Sequence, residues 1–520
     1  MKRYHKRRIR CAPNDRERPR WARFNRTESF LRRSAAFSFA LGIMLAIGGL
    51  GTTATAPAQT AETVEVTIQL SPRREPEPAL RYRLMLKPQQ QKSGNAAVYY
   101  GKIKAENNFF FGRRENWNTI QEGLKADAKQ VLGMPLAASL AATESSLTYY
   151  QHQAALCRDC DWQFPLNETP WADIRLPEIQ EARQFSVLSL LAARYQIASG
   201  DYPAAIASLQ DTFAYGKNVN AEPAFAVSYL VSAYIDTRAL EQVEFWIQQP
   251  GAPNLYWALA SLPDPLLDCR AVLDLEAELL EGTFPFLLEV ESEDHSRQYW
   301  NEALQQMLET VWYQNHFRYL DQKQSIPLQI NKGLQMLLAY SRAKDYLTQV
   351  DYPQERLQEM GAAQAILLAG FRQYQQQRDE LMKWSYLPST SASKKAQEAA
   401  WLQFKSSSQV WPDLFLTFLP SFSMISSSQL KTQRTISRLR LLEAIRMHGS
   451  LPQSLDEIQK VPLPIDPFTG KAWDYRWENG QAILTAPGLY EPGGFGKTVY
   501  RLTMTETSTS PTEGHTNDEQ

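Results

Sequence analysis

The stretch FSVLSLLAARYQIASGDYPAAIASLQDTFAYG, Phe185 to Gly216, decides how this chain is read. Leu188, Leu191, Ala192 and Tyr195 recur at helical spacing and form one apolar face. The face breaks at Ser199-Gly200-Asp201-Tyr202, and Pro203 stands where a new helix can begin, because its fixed φ suits a first turn. Ala205, Ile206, Leu209 and Phe213 resume the apolar face beyond the turn. A hairpin of two helices buries one face internally and leaves the other in need of a neighbour, so further helices are expected around it.

Working outward, the helical pattern continues on both sides. A first helix is predicted near Asn95, two more across residues 115–160, and one over Pro265–Leu280, broken at Gly282 and Pro285. Residues 296–320 place Trp300, Leu304, Leu308, Val311 and Tyr319 on one stripe. That stripe reads as core, because base-stacking surfaces interleave aromatics with basic residues and this one does not. Helices are also predicted at approximately 329–349, 353–386 and 392–406.

The ends read differently. Val64, Val66, Ile68 and Leu70 alternate with polar residues, which predicts a short strand or an extended arm over residues 59–75, within an arm segment bounded at 59–93. SFSMISSS, residues 421–428, reads as part of a linker spanning 421–433. Beyond a helix closed by Gly449, Trp473, Tyr475 and Trp477 alternate, Asn479-Gly480 is a strong hairpin dipeptide, and Ala482–Thr485 follows as the return strand. A third strand is expected at Val499–Met504. Residues 506–520 have almost nothing to bury and read as a disordered tail.

The fold class expected is therefore mainly α: a helical-hairpin, solenoid-like array over 94–262, a second helical region over 263–420, and a small α+β unit over 434–505.

Charge divides the chain. The whole carries 55 Lys/Arg against 56 Asp/Glu, but residues 1–58 hold 13 of the basic and 3 of the acidic residues. The remainder has 42 basic and 53 acidic residues, a net −11, which argues against a nucleic-acid partner. The basic segment ends at Arg32-Arg33. An apolar run, Ala35–Leu50, follows, and then Ala56-Pro57-Ala58. This order is that of a secretory signal, cleaved after Ala58 or kept as an N-terminal membrane anchor. Either places the body outside the cytoplasm, in the periplasm or cell envelope, with the anchor holding it to the inner membrane.

Several separate pieces together resemble an uncharacterised family of exported bacterial proteins. They are Ala79-Leu-Arg-Tyr-Arg-Leu, Gly94-Asn-Ala-Ala, Cys160-Asp161-Trp162, Gly200-Asp-Tyr and Pro253-Asn-Leu-Tyr-Trp-Ala-Leu. Ala343-Lys-Asp-Tyr-Leu and Asp379-Glu380 with Lys383-Trp384 complete the set. Gly200-Asp201-Tyr202 with Ala193, Ala205 and Leu209 also looks like one tetratricopeptide-type hairpin. Residues 434–490 resemble the globular end of a type II secretion pseudopilin, through Gly449-Ser-Leu-Pro, Asp466-Pro-Phe-Thr-Gly-Lys and the aromatic strand. No activity follows from these resemblances.

Candidate chemistry is sparse. Cys157 and Cys160 are spaced as a local disulfide in an oxidising compartment; haem attachment would need His where Asp161 stands, and zinc would need a second ligand pair. Gly493-Gly-Phe-Gly-Lys-Thr498 lacks the first glycine of a phosphate loop, because Glu491 occupies that position. Glu289, Glu291, Glu293 and Asp294 beside His295 lack the frame of a calcium loop and read as a solvated face. Asp379 with Lys383, or Glu380 packing on Trp384, reads as a surface pair on one helix rather than a catalytic carboxylate. No catalytic, cofactor-binding or metal-ligating residue is assigned. The function expected is a non-enzymatic exported scaffold binding protein or peptide partners in the envelope. The alternatives are an accessory component of a secretion or pilus-like apparatus, and an enzyme whose site is assembled from distant residues.

Overall fold

A computed structural model describes residues 63–505 apart from 143–144, 172–173, 293, 319–327, 389, 407–408, 416–417, 420–421, 479–480 and 489–495. The segment 1–58 with its apolar run, the tail 506–520, Glu293, Tyr319 and residues 493–495 of the Gly493–Thr498 loop lie outside the described residues. No helix among those described is long and apolar enough to cross a membrane.

The chain is mainly α. It opens with β1 (Val64–Leu70) and β2 (Lys92–Asn95). Five helices follow: α1 (Ala96–Phe111), α2 (Arg114–Gly123), α3 (Ala128–Leu132), α4 (Pro135–Ala141) and α5 (Ser146–Ala155). The short β3 (Cys157–Asp159) pairs in parallel with β2. The central hairpin is α6 (Pro177–Ser199) and α7 (Tyr202–Val219), covered by α8 (Ala226–Ile247).

The hairpin forms as its sequence dictates. Pro177 starts α6 in its first turn. Gly200 ends it at φ +79°, the left-handed conformation that costs glycine little. Asp201 N–H donates to Gln196 O at 2.9 Å and Gly200 N–H to Ile197 O at 3.1 Å, closing the last carbonyls of α6. Asp201 Oδ1 then accepts from Ala204 N–H at 3.2 Å and caps α7. Leu188, Leu191, Ala192, Ala205, Leu209 and Phe213 are all buried against this pairing.

The next region holds α9 (Tyr256–Ala260), α10 (Arg270–Ala277), α11 (Leu279–Thr283), α12 (Arg297–Arg318), α13 (Leu328–Gln349), α14 (Gln354–Glu359), α15 (Ala362–Met382), α16 (Ser391–Ser406) and α17 (Pro412–Phe415). Trp300 and Leu304 on α12 are buried, so the described part of the aromatic stripe is core. Helices α11 to α15 and α17 contribute to a second hydrophobic core, Leu280 to Phe418, separate from that of the hairpin. Two boundaries differ from expectation. The helix placed at Pro265 begins only at Arg270, and residues 115–160 hold four helices because Asp127 caps a new one and Pro135 starts another.

Helix α18 (Phe422–His448) corrects the domain division. From Phe422 the Ser-rich stretch and the rest of the 422–433 segment are helical, and Ser426 and Ser427 are buried. Ser426 and Ser428 hydroxyls donate to the carbonyls of Phe422 and Met424, four residues back, which satisfies these side chains inside a helix. Lys394 donates to both Ser426 and Ser427. Small hydroxyl side chains that close locally let another element approach, and this is why serine here marks packing rather than a loop.

The C-terminal strands are β4 (Ile465–Asp466), β5 (Lys471–Ala472), β6 (Asp474–Glu478), β7 (Gln481–Ala486) and β8 (Thr498–Met504). β6 and β7 pair antiparallel with Glu478 opposite Gln481, leaving two residues between them, as the hairpin reading expects. The four-stranded sheet has the order β1-β8-β7-β6, with Val64 opposite Thr498 and Leu70 opposite Met504 in parallel register. The expected arm at 59–93 is therefore, in its described first part, a sheet strand. Ile68 and Leu70 bury into the same core as Leu439, Leu442, Ile445, Leu484 and the hairpin residues. The 434–505 unit shares its core with the N-terminal helices and is not a separate body.

Candidate functional site

A slot of about 390 Å³ opens between α1, α6, α7 and the loop after β3. On α1, Tyr100 and Lys104 stand one turn apart on the same face. On α6, Glu178, Glu181 and Phe185 follow one another at spacings of three and four. Tyr215 projects from α7, and Trp162 comes from the loop.

The walls are aromatic and fixed. Tyr100 stacks on Trp162 with centroids 5.8 Å apart at 16°, and meets Tyr215 at 4.2 Å. Trp162 Nε1 donates to Asn218 O at 2.7 Å, and Asn218 Nδ2 donates to the Tyr100 hydroxyl at 3.0 Å. The Tyr215 hydroxyl is buried and has no hydrogen-bond partner among the described residues. Burial pushes the phenols of Tyr100 and Tyr215 well above their ordinary range, so both remain neutral donors. At the mouth Lys104 pairs with Glu181, both side chains partly in water. A cavity with aromatic walls and an ion pair at its rim fits a planar or ring-shaped apolar group.

The loop that carries Trp162 is held by a reciprocal bond. Asp161 N–H donates to Asn95 Oδ1 at 2.9 Å, and Asn95 Nδ2 donates to Asp161 O at 2.8 Å. Gly94 has φ +146°, and a Cβ there would lie 3.4 Å from Cys157 Sγ. Gly94-Asn95 and Cys160-Asp161-Trp162, two of the separated pieces flagged in the sequence, thus meet at one place.

Cys157, Cys160 and Cys269 stand as free thiols in this structure. Cys157 Sγ donates to Gln153 O at 3.4 Å. Burial raises the Cys160 thiol to about 12 and that of Cys269 to about 11, which keeps both protonated and poorly nucleophilic.

Sequence reading passed over a histidine pair. His152 on α5 approaches Asp211 on α7, Nδ1 to Oδ1 at 3.0 Å. The bond to Asp211 raises the His152 pKa, against a smaller lowering by burial, and burial raises that of Asp211. Fifty-nine positions separate the two, so no sequence spacing announces them. The pair could orient an imidazole for proton transfer, yet among the described residues the His152 ring bonds to Asp211 alone.

The other flagged residues are surface pairs. Glu289 bonds His295 Nε2 at 2.8 Å and Glu291 pairs with Arg372. Lys383 pairs with Glu380 at 2.5 Å and not with Asp379, which takes Arg378 Nε at 2.9 Å. Among the described residues no group of three His, Cys, Asp or Glu side chains could hold a metal ion.

No family model, no curated protein and no solved structure matches the chain.

Proposed function

We propose that this chain is a non-enzymatic, exported helical scaffold that binds a protein or peptide partner in the cell envelope. The observation that carries this reading is the slot bounded by Tyr100, Trp162, Phe185 and Tyr215 with the Lys104–Glu181 pair at its rim. An aromatic or proline side chain of a partner fits between such walls. The signal-like order of residues 1–58 supports the location.

The test is selection of a random short-peptide library on the full chain, with Trp162→Ala as the control. Peptides sharing one aromatic or proline anchor should be enriched, and Trp162→Ala should weaken the best of them by about 10- to 100-fold. No shared anchor, or equal binding by Trp162→Ala, would sink the reading.

A second reading, an accessory component of a secretion or pilus-like apparatus, draws on one arrangement. The long helix α18 precedes the antiparallel run β6-β7-β8, in the part of the chain that resembles a pseudopilin globular end. Its test is co-purification with secretion components from envelope fractions.

A further inference from the structure

A second and larger concavity, about 670 Å³, lies where the segment following β1 crosses the C-terminal end of α18. Its charged wall carries Arg73, Arg74, Arg81 and Lys460 against Glu75 and Glu77. Arg446 also lines it but is fully occupied by Glu443, Ser71 O and Ala252 O.

The cations are differently placed. Among the described residues the guanidinium groups of Arg73 and Arg74 make no hydrogen bond or ion pair, and both residues are exposed. Arg81 is exposed with its guanidinium 5.6 Å from the centroid of the Tyr82 ring. One of the two carboxylates is engaged elsewhere, because Glu75 Oε2 accepts from Trp257 Nε1 at 2.9 Å. The end of α18 would ordinarily repel an anion with its free carbonyls. Here Arg73 N–H covers Arg446 O at 2.9 Å and Lys460 Nζ covers Met447 O at 3.2 Å. A basic cleft with idle guanidinium forks is thus set into a body whose net charge is −11.

We propose that this cleft docks an acidic peptide segment of a partner, its carboxylates taken by the forks of Arg73, Arg74 and Arg81. Guanidinium forks match planar carboxylates in a bidentate way. The choice of a peptide follows from the wall itself. Glu75 and Glu77 need donors, which a small inorganic anion lacks, while a peptide brings backbone N–H groups between its carboxylates. A long polyanion would also meet the acidic remainder of the surface.

Fluorescence anisotropy of a labelled octaglutamate peptide with the full chain tests this. The comparison protein is the triple variant Arg73→Gln/Arg74→Gln/Arg81→Gln, whose circular dichroism and melting should stay close to the parent's, because these exposed side chains make no hydrogen bonds to the fold and only Arg81 loses a contact, that with the Tyr82 ring. Octaglutamate should bind the parent, lose about tenfold or more in affinity in the variant, and weaken as salt rises from about 0.01 to about 0.15 M. Octaglutamine should not bind, and Trp162→Ala should bind octaglutamate as the parent does. Equal affinity of parent and triple variant would overturn the proposal, as would octaglutamine binding as well. Displacement by inorganic phosphate at concentrations equal to those of the peptide would make this a small-anion site and overturn the peptide assignment.

Discussion

Gly200 is the residue on which the central hairpin turns. It sits at φ +79°, and a Cβ built there meets nothing within 4 Å. Space is therefore not the obstacle to a side chain; the backbone conformation is. Gly200→Val should cost on the order of 1–3 kcal/mol through strain, while Pro203→Ala should cost much less, since alanine adopts the same angles and Asp201 still caps α7. Thermal denaturation of both variants checks this. A Gly200→Val protein that melts with the parent would mean that the turn tolerates a different closure. This position was legible because the requirement is local: helix stop, left-handed residue, capping carboxylate and proline fall within five residues. His152 and Asp211 were not legible, because what makes them a pair is the packing of α5 on α7 and nothing in their neighbours in sequence.

At the scale of elements the instructive case is α18. Composition made 421–433 a linker, since serine runs compete with the backbone for hydrogen bonds. In the fold that competition is resolved by bonds to carbonyls four residues back, and Ile425 and Leu430 on the same stretch are fully buried. The first half of α18 packs beside Leu267, Val272 and Leu381, and the second half joins the hairpin core. One helix thus bridges two hydrophobic clusters. Limited proteolysis should leave 422–433 uncut while the native fold persists, because a buried helix does not offer the extended chain a protease needs. Early cleavage there, read by mass spectrometry of the fragments, would restore the linker. The strands fared better, because alternation and the two-residue gap between Glu478 and Gln481 are local signals. What pairs with β8 on its free edge was not local, and β1 arrives from the far end of the chain.

Over the whole molecule, Arg446 ties these distant parts together. It is fully buried, donating through Nε to Ser71 O at 3.0 Å, through Nη2 to Ala252 O at 2.6 Å and through Nη1 to Glu443 at 2.8 Å. Glu443 in turn accepts from Leu255 N–H at 2.9 Å. The residues after β1, the loop before α9 and the end of α18 thus converge on one guanidinium. Arg446→Met fills a similar volume but leaves the Glu443 carboxylate buried without its cation, at a cost of about 3–5 kcal/mol. Glu443→Gln sets its amide NH2 against Arg446 Nη1 or against Leu255 N–H and strips the buried guanidinium of its anion, so it should cost a similar amount. Equilibrium unfolding of the two variants decides, and a parent-like Arg446→Met would show that the junction holds without this cation.

The sequence by itself determined the helical class, the hairpin and its turn, and the antiparallel strand pair near the C-terminus. Each of these rests on periodicity or turn chemistry confined to a few neighbouring residues. Only the tertiary structure decided that β1 and β8 share a sheet, that α18 runs unbroken between two clusters, and that Trp162, Tyr100 and Tyr215 enclose a slot. In each of these the partners lie tens to hundreds of residues apart. Their pairing is selected by burial of apolar surface and satisfaction of buried polar groups across the whole fold, a condition that local pattern does not encode.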